Sequence, residues 1–363
     1  MIKVDNLKEI SIIKKTKNYF TFLLLMENDD KNIILSEYNG VIHIYNSHTN
    51  FEEIFTIIFN EKKNSNTIQF ISLMNKKNIL VTFKDIIRCI SINKKKESTN
   101  ENENKFTYEY NELFSMSLNL RGFDFYQCIS LQSMENYLVS SCEKEIIHSW
   151  TNSSIDSQNR QYKVKKVLSV CKKDTSSFLL EIPVLKLLVS CSFKDCVLKF
   201  FDLSQNFKLL KKIDKLGQSY YIGCLKLINS HLFIVTSEGI NGMLLIDARY
   251  KEIVQKYEIN GYKGWVNSIY ANISYNDSNP NNIVFYIGGT FIDDKKNITS
   301  DFQQYEIGKG EIKLVNKKSN VHEESITSII YYNPCHLSDG ENENKNFYFL
   351  SFSKSNLKIW NNS

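Results

Sequence analysis

The chain has 363 residues, of which 42% are hydrophobic and 13% aromatic, and its formal net charge is +5. This apolar content excludes wholesale disorder, and the length fits two ordinary domains or one large all-β domain. The basic excess is mild, and only four of the 45 basic residues are arginine. The sequence therefore lacks the arginine-rich signature of bidentate phosphate or guanine recognition.

The cysteines and the longest apolar stretch indicate the compartment. Most of the eight cysteines stand in apolar, strand-like runs, where a thiol behaves as a small hydrophobic side chain. A chain of this length does not need a disulfide framework, and residues 19–26, the longest apolar stretch, are too few to span a bilayer. We predict a protein of the cytoplasm, the nucleus or both, with reduced thiols and no membrane partner.

A similar unit recurs along the chain. Each copy has an apolar strand ending in small residues, a short polar turn and a strand of alternating apolar residues. Clear copies occupy residues 33–46, 137–150, 187–202, 233–247 and 349–361, and weaker ones end near Ile90 and Tyr305. Seven units therefore end near residues 45, 90, 150, 201, 246, 305 and 360. Polar runs at 94–104, 153–160, 276–282 and 338–346 are predicted to be loop insertions between strands.

These units resemble WD repeats, in which four strands form each blade of a β-propeller. Ile246-Asp247 stands where the family has Trp-Asp, and residues 261–266 match its Gly-His and Trp-Val positions. The resemblance implies an all-β, seven-bladed β-propeller formed by residues 1–363 as a single domain. The aspartate that supports a His–Ser/Thr–Trp network is replaced at Lys354, Lys144 and Ile240. Asp195 stands at the aspartate position of another unit. Where the aspartate is replaced, the network is undetermined, and packing of the alternating strands is sufficient to hold the blade.

The first complete unit is preceded by one extra strand, and the last unit lacks its fourth strand. Residues 9–13 are left over as one strand before the first complete unit, and the last unit stops after its third strand at Trp360. The N-terminal strand would complete the last blade and close the ring, which protects strand edges that otherwise template aggregation.

Motifs for chemistry are weak throughout the sequence. Gly308-Lys309-Gly310 lacks the remaining residues of a phosphate-binding loop, so a hairpin turn is expected, and Gly288-Gly289 indicates a close backbone approach. The cysteines do not form zinc-site spacings. His43 and His148 occupy equivalent repeat positions, which indicates a structural role. We predict a protein with no catalytic residues, no cofactor and no metal. An enzyme with catalytic groups at the central channel remains an alternative.

One segment carries a sharper functional hypothesis. Ile246-Asp247-Ala248-Arg249 resembles the Trp-Asp-x-Arg box of propellers that act as substrate receptors of cullin-type ubiquitin ligases. In the competing interpretation, Arg249 pairs with a neighbouring blade. Tyr262 and Trp265 precede the first strand of a blade, on a face suited to recognition by loops, although both also suit a blade core.

These features predict a noncatalytic scaffold, monomeric itself, that binds other protein subunits in an intracellular complex through Asp247, Arg249, Tyr262 and Trp265. An RNA-associated propeller subunit in ribosome assembly or RNA modification is a second interpretation, because the lysine excess allows RNA as a partner.

Overall fold

The computed structural model describes most of the chain, with gaps. The described residues are 7–15, 20–26, 32–47, 51–59, 67–96, 106–117, 125–142, 146–152, 162–169, 177–192, 197–214, 216, 222–237, 241–259, 266–271, 283–292, 295, 297–308, 311–332 and 348–362. Within these ranges the regular structure is 28 β-strands and one short 3₁₀ helix, Pro183–Leu185. Contacts divide the chain into two compact units, residues 21–172 and residues 1–20 with 173–363.

The unit of residues 21–172 contains three four-stranded sheets, except for Phe20 at the start of the first strand, and the strands pair in chain order. Sheet 1 is β2 (Phe20–Leu25), β3 (Ile33–Glu37), β4 (Val41–Asn46) and β5 (Glu52–Ile58). Sheet 2 is β6 (Phe70–Leu73), β7 (Asn78–Thr82), β8 (Ile86–Lys96) and β9 (Phe106–Ser117). Sheet 3 is β10 (Phe125–Ser130), β11 (Tyr137–Cys142), β12 (Ile146–Asn152) and β13 (Tyr162–Ser169).

The second unit contains four more four-stranded sheets. Sheet 4 is β14 (Ser177–Ile182), β15 (Leu187–Ser192), β16 (Leu198–Asp202) and β17 (Lys208–Ile213). Sheet 5 is β18 (Ile222–Leu227), β19 (Leu232–Ser237), β20 (Gly242–Asp247) and β21 (Glu252–Glu258). Sheet 6 is β22 (Val266–Ala271), β23 (Ile283–Ile292), β24 (Ile298–Gly308) and β25 (Glu311–Lys318). Sheet 7 is β26 (Ser328–Tyr332), β27 (Tyr348–Phe352), β28 (Asn356–Asn362) and β1 (Leu7–Lys15).

The repeat read from the sequence corresponds to these sheets. Each predicted unit end lies in the third strand of its sheet, and all seven side chains are buried: Tyr45, Ile90, Trp150, Phe201, Ile246, Tyr305 and Trp360. The third strand lies inside its sheet, and its alternating side chains pack on both faces. The predicted seven-unit repeat is therefore confirmed.

Within each unit the core lies between consecutive sheets. Phe200 of sheet 4 faces Phe233 of sheet 5, with ring centroids 6.1 Å apart. Between sheets 6 and 7, the Phe302 and Trp360 rings meet edge-on at 5.8 Å. Each fully buried phenylalanine contributes about 1.5–3 kcal/mol through removal of apolar surface from water. These inter-sheet layers cover both faces of inner strands such as Leu187–Ser192 and Gly242–Asp247, which are buried along their whole length.

The N-terminal strand belongs to the last sheet. β1 pairs antiparallel with β28, with Glu9 opposite Trp360 and Lys15 opposite Asn356. Lys358 Nζ lies 2.8 Å from Glu9 Oε2 across this pair. The remainders at the two chain ends thus meet in one sheet. The predicted ring closure and the predicted single domain of residues 1–363 involve both compact units, and they stay predictions.

One predicted insertion has the wrong boundary. Lys94, Lys95 and Lys96 continue β8 as paired strand opposite Tyr108, Thr107 and Phe106, rather than starting a loop. Lys95 Nζ lies 2.6 Å from Glu109 Oε2, and opposite charges across a strand pair stabilise such a hairpin. Residues 153–160, 276–282 and 338–346 lie between strands and outside the described residues.

Candidate partner-binding site at the Asp247–Arg249 turn

Asp247 and Arg249 form a closed turn after the third strand of sheet 5. Asp247 Oδ1 accepts a hydrogen bond from the Arg249 backbone N–H at 2.9 Å. The Arg249 guanidinium donates to the same carboxylate, with Nη2 2.6 Å from Asp247 Oδ2 and Nε 3.1 Å from Asp247 Oδ1. The Ala248 N–H donates to the His231 carbonyl at 2.9 Å. The turn is therefore fixed by side-chain and backbone hydrogen bonds together.

Asp247 is buried in this turn, whereas its partner Arg249 is half-exposed. The Asp247 side chain is 7% exposed and the Arg249 side chain 49% exposed. Burial acts to raise the pKa of Asp247, but the hydrogen bonds and charge of Arg249 outweigh it and hold that pKa below its usual range. The same pairing raises the pKa of Arg249. The ion pair therefore stays charged at neutral pH and shows a half-exposed guanidinium to solvent.

The four predicted partner-binding residues have different outcomes. Arg249 pairs with Asp247 of its own sheet, and not with a neighbouring blade as one of the two interpretations of the sequence had it. This local pairing is favoured because the turn places the two side chains only two residues apart. Tyr262 and Trp265 lie outside the described residues, so their place in a partner-binding face stays a prediction.

The two repeat histidines are structural, as predicted. His43 is buried between two carboxylates, with Nε2 3.1 Å from Glu37 Oε1 and Nδ1 3.3 Å from Glu53 Oε1. His148 is buried beside Trp150, and burial lowers the pKa of His148 to about 4. Both histidines are packed into their sheets.

The hydrogen-bond network that the sequence placed in doubt is present in sheet 7. Ser351 Oγ lies 2.8 Å from His322 Nε2 and accepts a hydrogen bond of 2.8 Å from Trp360 Nε1. Sheet 3 has the corresponding serine–tryptophan bond, from Trp150 Nε1 to Ser140 Oγ at 2.8 Å. The replacement of the aspartate left this network undetermined from the sequence, and the structure shows that the Ser351 hydroxyl joins the two rings.

The remaining motifs serve packing and turns. Cys89, Cys128, Cys142 and Cys191 are buried free thiols and Cys224 is half-buried, and burial raises the pKa of Cys128 and Cys224. Cys171, Cys196, Cys335 and His336 lie outside the described residues. In the described part of the chain, no group of three metal-binding side chains is found.

The glycine motifs have the predicted backbone roles. A Cβ on Gly288 would lie 2.8 Å from Ile329 Cγ2 and 2.9 Å from Ile326 Cγ2, which confirms a close approach to the neighbouring sheet. Gly308 pairs with Glu311 across the β24–β25 hairpin, which confirms the hairpin predicted at Gly308. Among the described residues, no helix reaches the length and apolarity of a membrane span.

Sequence reasoning missed a second turn beside the first. Asp202 ends the third strand of sheet 4, and its Oδ1 accepts hydrogen bonds from the Ser204 N–H at 2.9 Å and the Ser204 hydroxyl at 2.6 Å. Asp202 and Arg249 line the same depression, with a volume of about 310 Å³, between sheets 4 and 5. The signal was the apolar-Asp pair repeated at the ends of two consecutive units, Phe201-Asp202 and Ile246-Asp247.

Comparison with solved structures identifies the fold. The β-propeller domain of Cps50 (Swd1) from Myceliophteria thermophila is 10% identical in sequence, and the match covers 98% of this chain and 99% of that chain with a TM-score of 0.61. Sqt1 from Saccharomyces cerevisiae is 11% identical, and the match covers 99% of each chain with a TM-score of 0.63. A chain in the crystal structure of the mitotic checkpoint complex is 10% identical, and the match covers 98% of this chain and 91% of that chain with a TM-score of 0.65.

Sequence comparison adds no relative. No protein-family model matches the chain, and no curated protein matches it significantly. The structural likeness shows that the chain has the fold of a WD40-type seven-bladed β-propeller, as the repeat predicted.

Proposed function

We propose that this propeller is a noncatalytic scaffold that joins other protein subunits in a multisubunit complex of the cytoplasm or nucleus. The observation that carries the proposal is that the histidines and thiols suited to catalysis are packed into the fold. His43, His148 and His322 are buried in side-chain networks or ring packing, and the described thiols are buried or half-buried. At the surface, the turn at the end of β20 holds the half-exposed guanidinium of Arg249 in a fixed position.

The architecture supports recognition through these turns. Loops held by a rigid framework are suited to binding, because their backbone is ordered before a partner arrives. One of the similar chains was crystallised within the mitotic checkpoint complex, which supports a subunit role by analogy of fold alone. We further propose that Asp247, Arg249, Tyr262 and Trp265 contribute to partner binding, and that β1 closes the ring of blades.

Affinity purification tests the scaffold function. The tagged protein is recovered from its own cells at low and high salt, and bound proteins are identified and quantified by mass spectrometry. We expect a stoichiometric protein partner that survives high salt. A protein recovered alone would contradict the scaffold function, and charge swaps on both faces that leave every partner bound would contradict the placement of the binding residues.

The same experiment separates the alternatives. Recovery only with RNA, lost steeply as salt rises, would favour the RNA-associated subunit, because binding to phosphates releases counterions. A cullin-ligase adaptor that is lost on Arg249→Ala would favour the substrate receptor. A turnover assay of candidate substrates addresses channel chemistry.

A further inference from the structure

The depression between sheets 4 and 5 has an exposed apolar wall. It lies between the Pro183–Leu185 turn of sheet 4 and the Asp247–Arg249 turn of sheet 5, within one compact unit. Val184 and Leu210 line it and are 62% and 40% exposed. Exposed apolar side chains grouped beside a concave surface mark sites of interaction more often than scattered ones do.

The rim of this depression is basic. Lys186, Arg249 and Lys251 line it together with one acidic residue, Asp202. Arg249 is already paired with Asp247, so the two lysines supply the net positive charge. The Ser204 hydroxyl and the backbone of the turn donate hydrogen bonds to the Asp202 carboxylate and lower its pKa, so Asp202 stays ionised. The positive charges of Lys186 and Lys251 still exceed this one negative charge. Neither Lys186 nor Lys251 has a carboxylate partner among the residues that the structure describes.

The walls are ordered by their own hydrogen bonds. The Lys186 N–H donates to the Pro183 carbonyl at 3.0 Å, and the Leu203 N–H donates to the Lys186 carbonyl at 2.9 Å. Proline fixes φ at the start of the turn, and the Asp202 and Asp247 turns close the other sides. A ligand therefore meets a preformed surface, which reduces the conformational entropy lost on binding.

We propose that this groove binds a short acidic segment of a partner protein, with one aliphatic or aromatic side chain of that segment seated against Val184 and Leu210. Carboxylates flanking that side chain would meet Lys186, Lys251 and the half-exposed guanidinium of Arg249. Complementary charge sets the orientation and the association rate, while the buried apolar anchor supplies most of the affinity. The proposal rests on the proposed scaffold function and specifies the partner's chemistry.

A peptide selection tests the groove directly. A phage library of random dodecapeptides is selected on the full chain, and the enriched peptides are measured by fluorescence anisotropy. We expect acidic peptides with a central apolar residue that bind K186E/K251E roughly tenfold more weakly, because two attractive rim charges become repulsive. Raising salt from 50 to 500 mM should also weaken binding by screening, and V184S/L210S should weaken it at both salts.

A matched control uses the corresponding turn of sheet 2. K76E/K77E makes the same charge change on exposed lysines between the first two strands of that sheet, and it should bind the selected peptides as the wild type does. Failure to enrich any peptide, enrichment of peptides without acidic residues, or equal binding to K186E/K251E and K76E/K77E would overturn the proposal.

Affinity purification with the same variants separates this proposal from the scaffold function. If a partner is bound by the wild type and K76E/K77E but not by K186E/K251E, the groove carries the interaction. If all three retain it, the groove proposal fails while the scaffold function stands. If the wild type retains no protein partner, the scaffold function itself fails.

Discussion

Replacement of Ser351 by alanine should cost more stability than the same replacement at Ser140. Both serines are fully buried, and each stands two residues beyond the cross-strand partner of a tryptophan, Trp360 or Trp150. Ser351 satisfies both Trp360 Nε1 and His322 Nε2, each at 2.8 Å, whereas the bond shown for Ser140 is the one from Trp150 Nε1. Ser351→Ala therefore leaves two buried ring nitrogens without a partner, and Ser140→Ala leaves one.

The expected magnitudes follow from the polar atoms left without a partner. Each buried, unsatisfied group costs about 1–3 kcal/mol, so Ser351→Ala should lose about 4 kcal/mol and Ser140→Ala about 2 kcal/mol. An unfolding entropy of about 2.1 cal/mol/K per residue gives about 0.8 kcal/mol/K for this chain. The melting temperature should therefore fall by about 5 °C for Ser351→Ala and by about 2–3 °C for Ser140→Ala.

Thermal unfolding followed by far-ultraviolet circular dichroism measures both variants, since tryptophan fluorescence would itself respond to the lost bonds. The double variant S140A/S351A should show the sum of the two effects, because the serines belong to different sheets and share no partner. Equal losses for the two single variants, or a loss below about 1 kcal/mol for Ser351→Ala, would refute the reasoning that the shared hydroxyl holds two buried rings.

Three further predictions concern pH, packing and the chain ends. Burial lowers the pKa of His148 to about 4 and that of His322 to about 3, so both stay neutral when folded while the unfolded chain takes up protons below about pH 6.5. Stability should fall as pH drops through this window, by about 2 kcal/mol per histidine at pH 5; melting temperatures against pH check this, and H148Q/H322Q should flatten the profile. Gly288→Val should lower the melting temperature through overpacking of about 1–3 kcal/mol, because its Cβ would lie 2.8 Å from Ile329 Cγ2; an unchanged melting temperature would show that the neighbouring sheet gives way. Deletion of residues 1–15 should expose the edge of sheet 7 and cause self-association on size-exclusion chromatography, and the missing peptide added in trans should reverse it; a stable monomer without these residues would argue against closure by β1.

The sequence determined the repeat and the fold of this protein. The third strand of each sheet is packed on both faces, so its apolar and aromatic residues, such as Trp150 and Tyr305, were conspicuous at regular intervals. The close approach at Gly288 was readable for the same reason, since only glycine leaves that space. Local patterns of this kind are set by strand geometry and do not depend on distant partners.

Only the tertiary structure decided which polar groups meet. His322 and Ser351 are 29 residues apart, and the Ser351 hydroxyl joins His322 to Trp360 in a network that the sequence left undetermined. The groove joins Val184 to Arg249 across two sheets, and no spacing in the sequence indicates that approach. Polar contacts depend on distances of a few tenths of an ångström between separate elements. The packing of whole sheets sets those distances, whereas the repeat itself follows from the alternation of residues along a single strand.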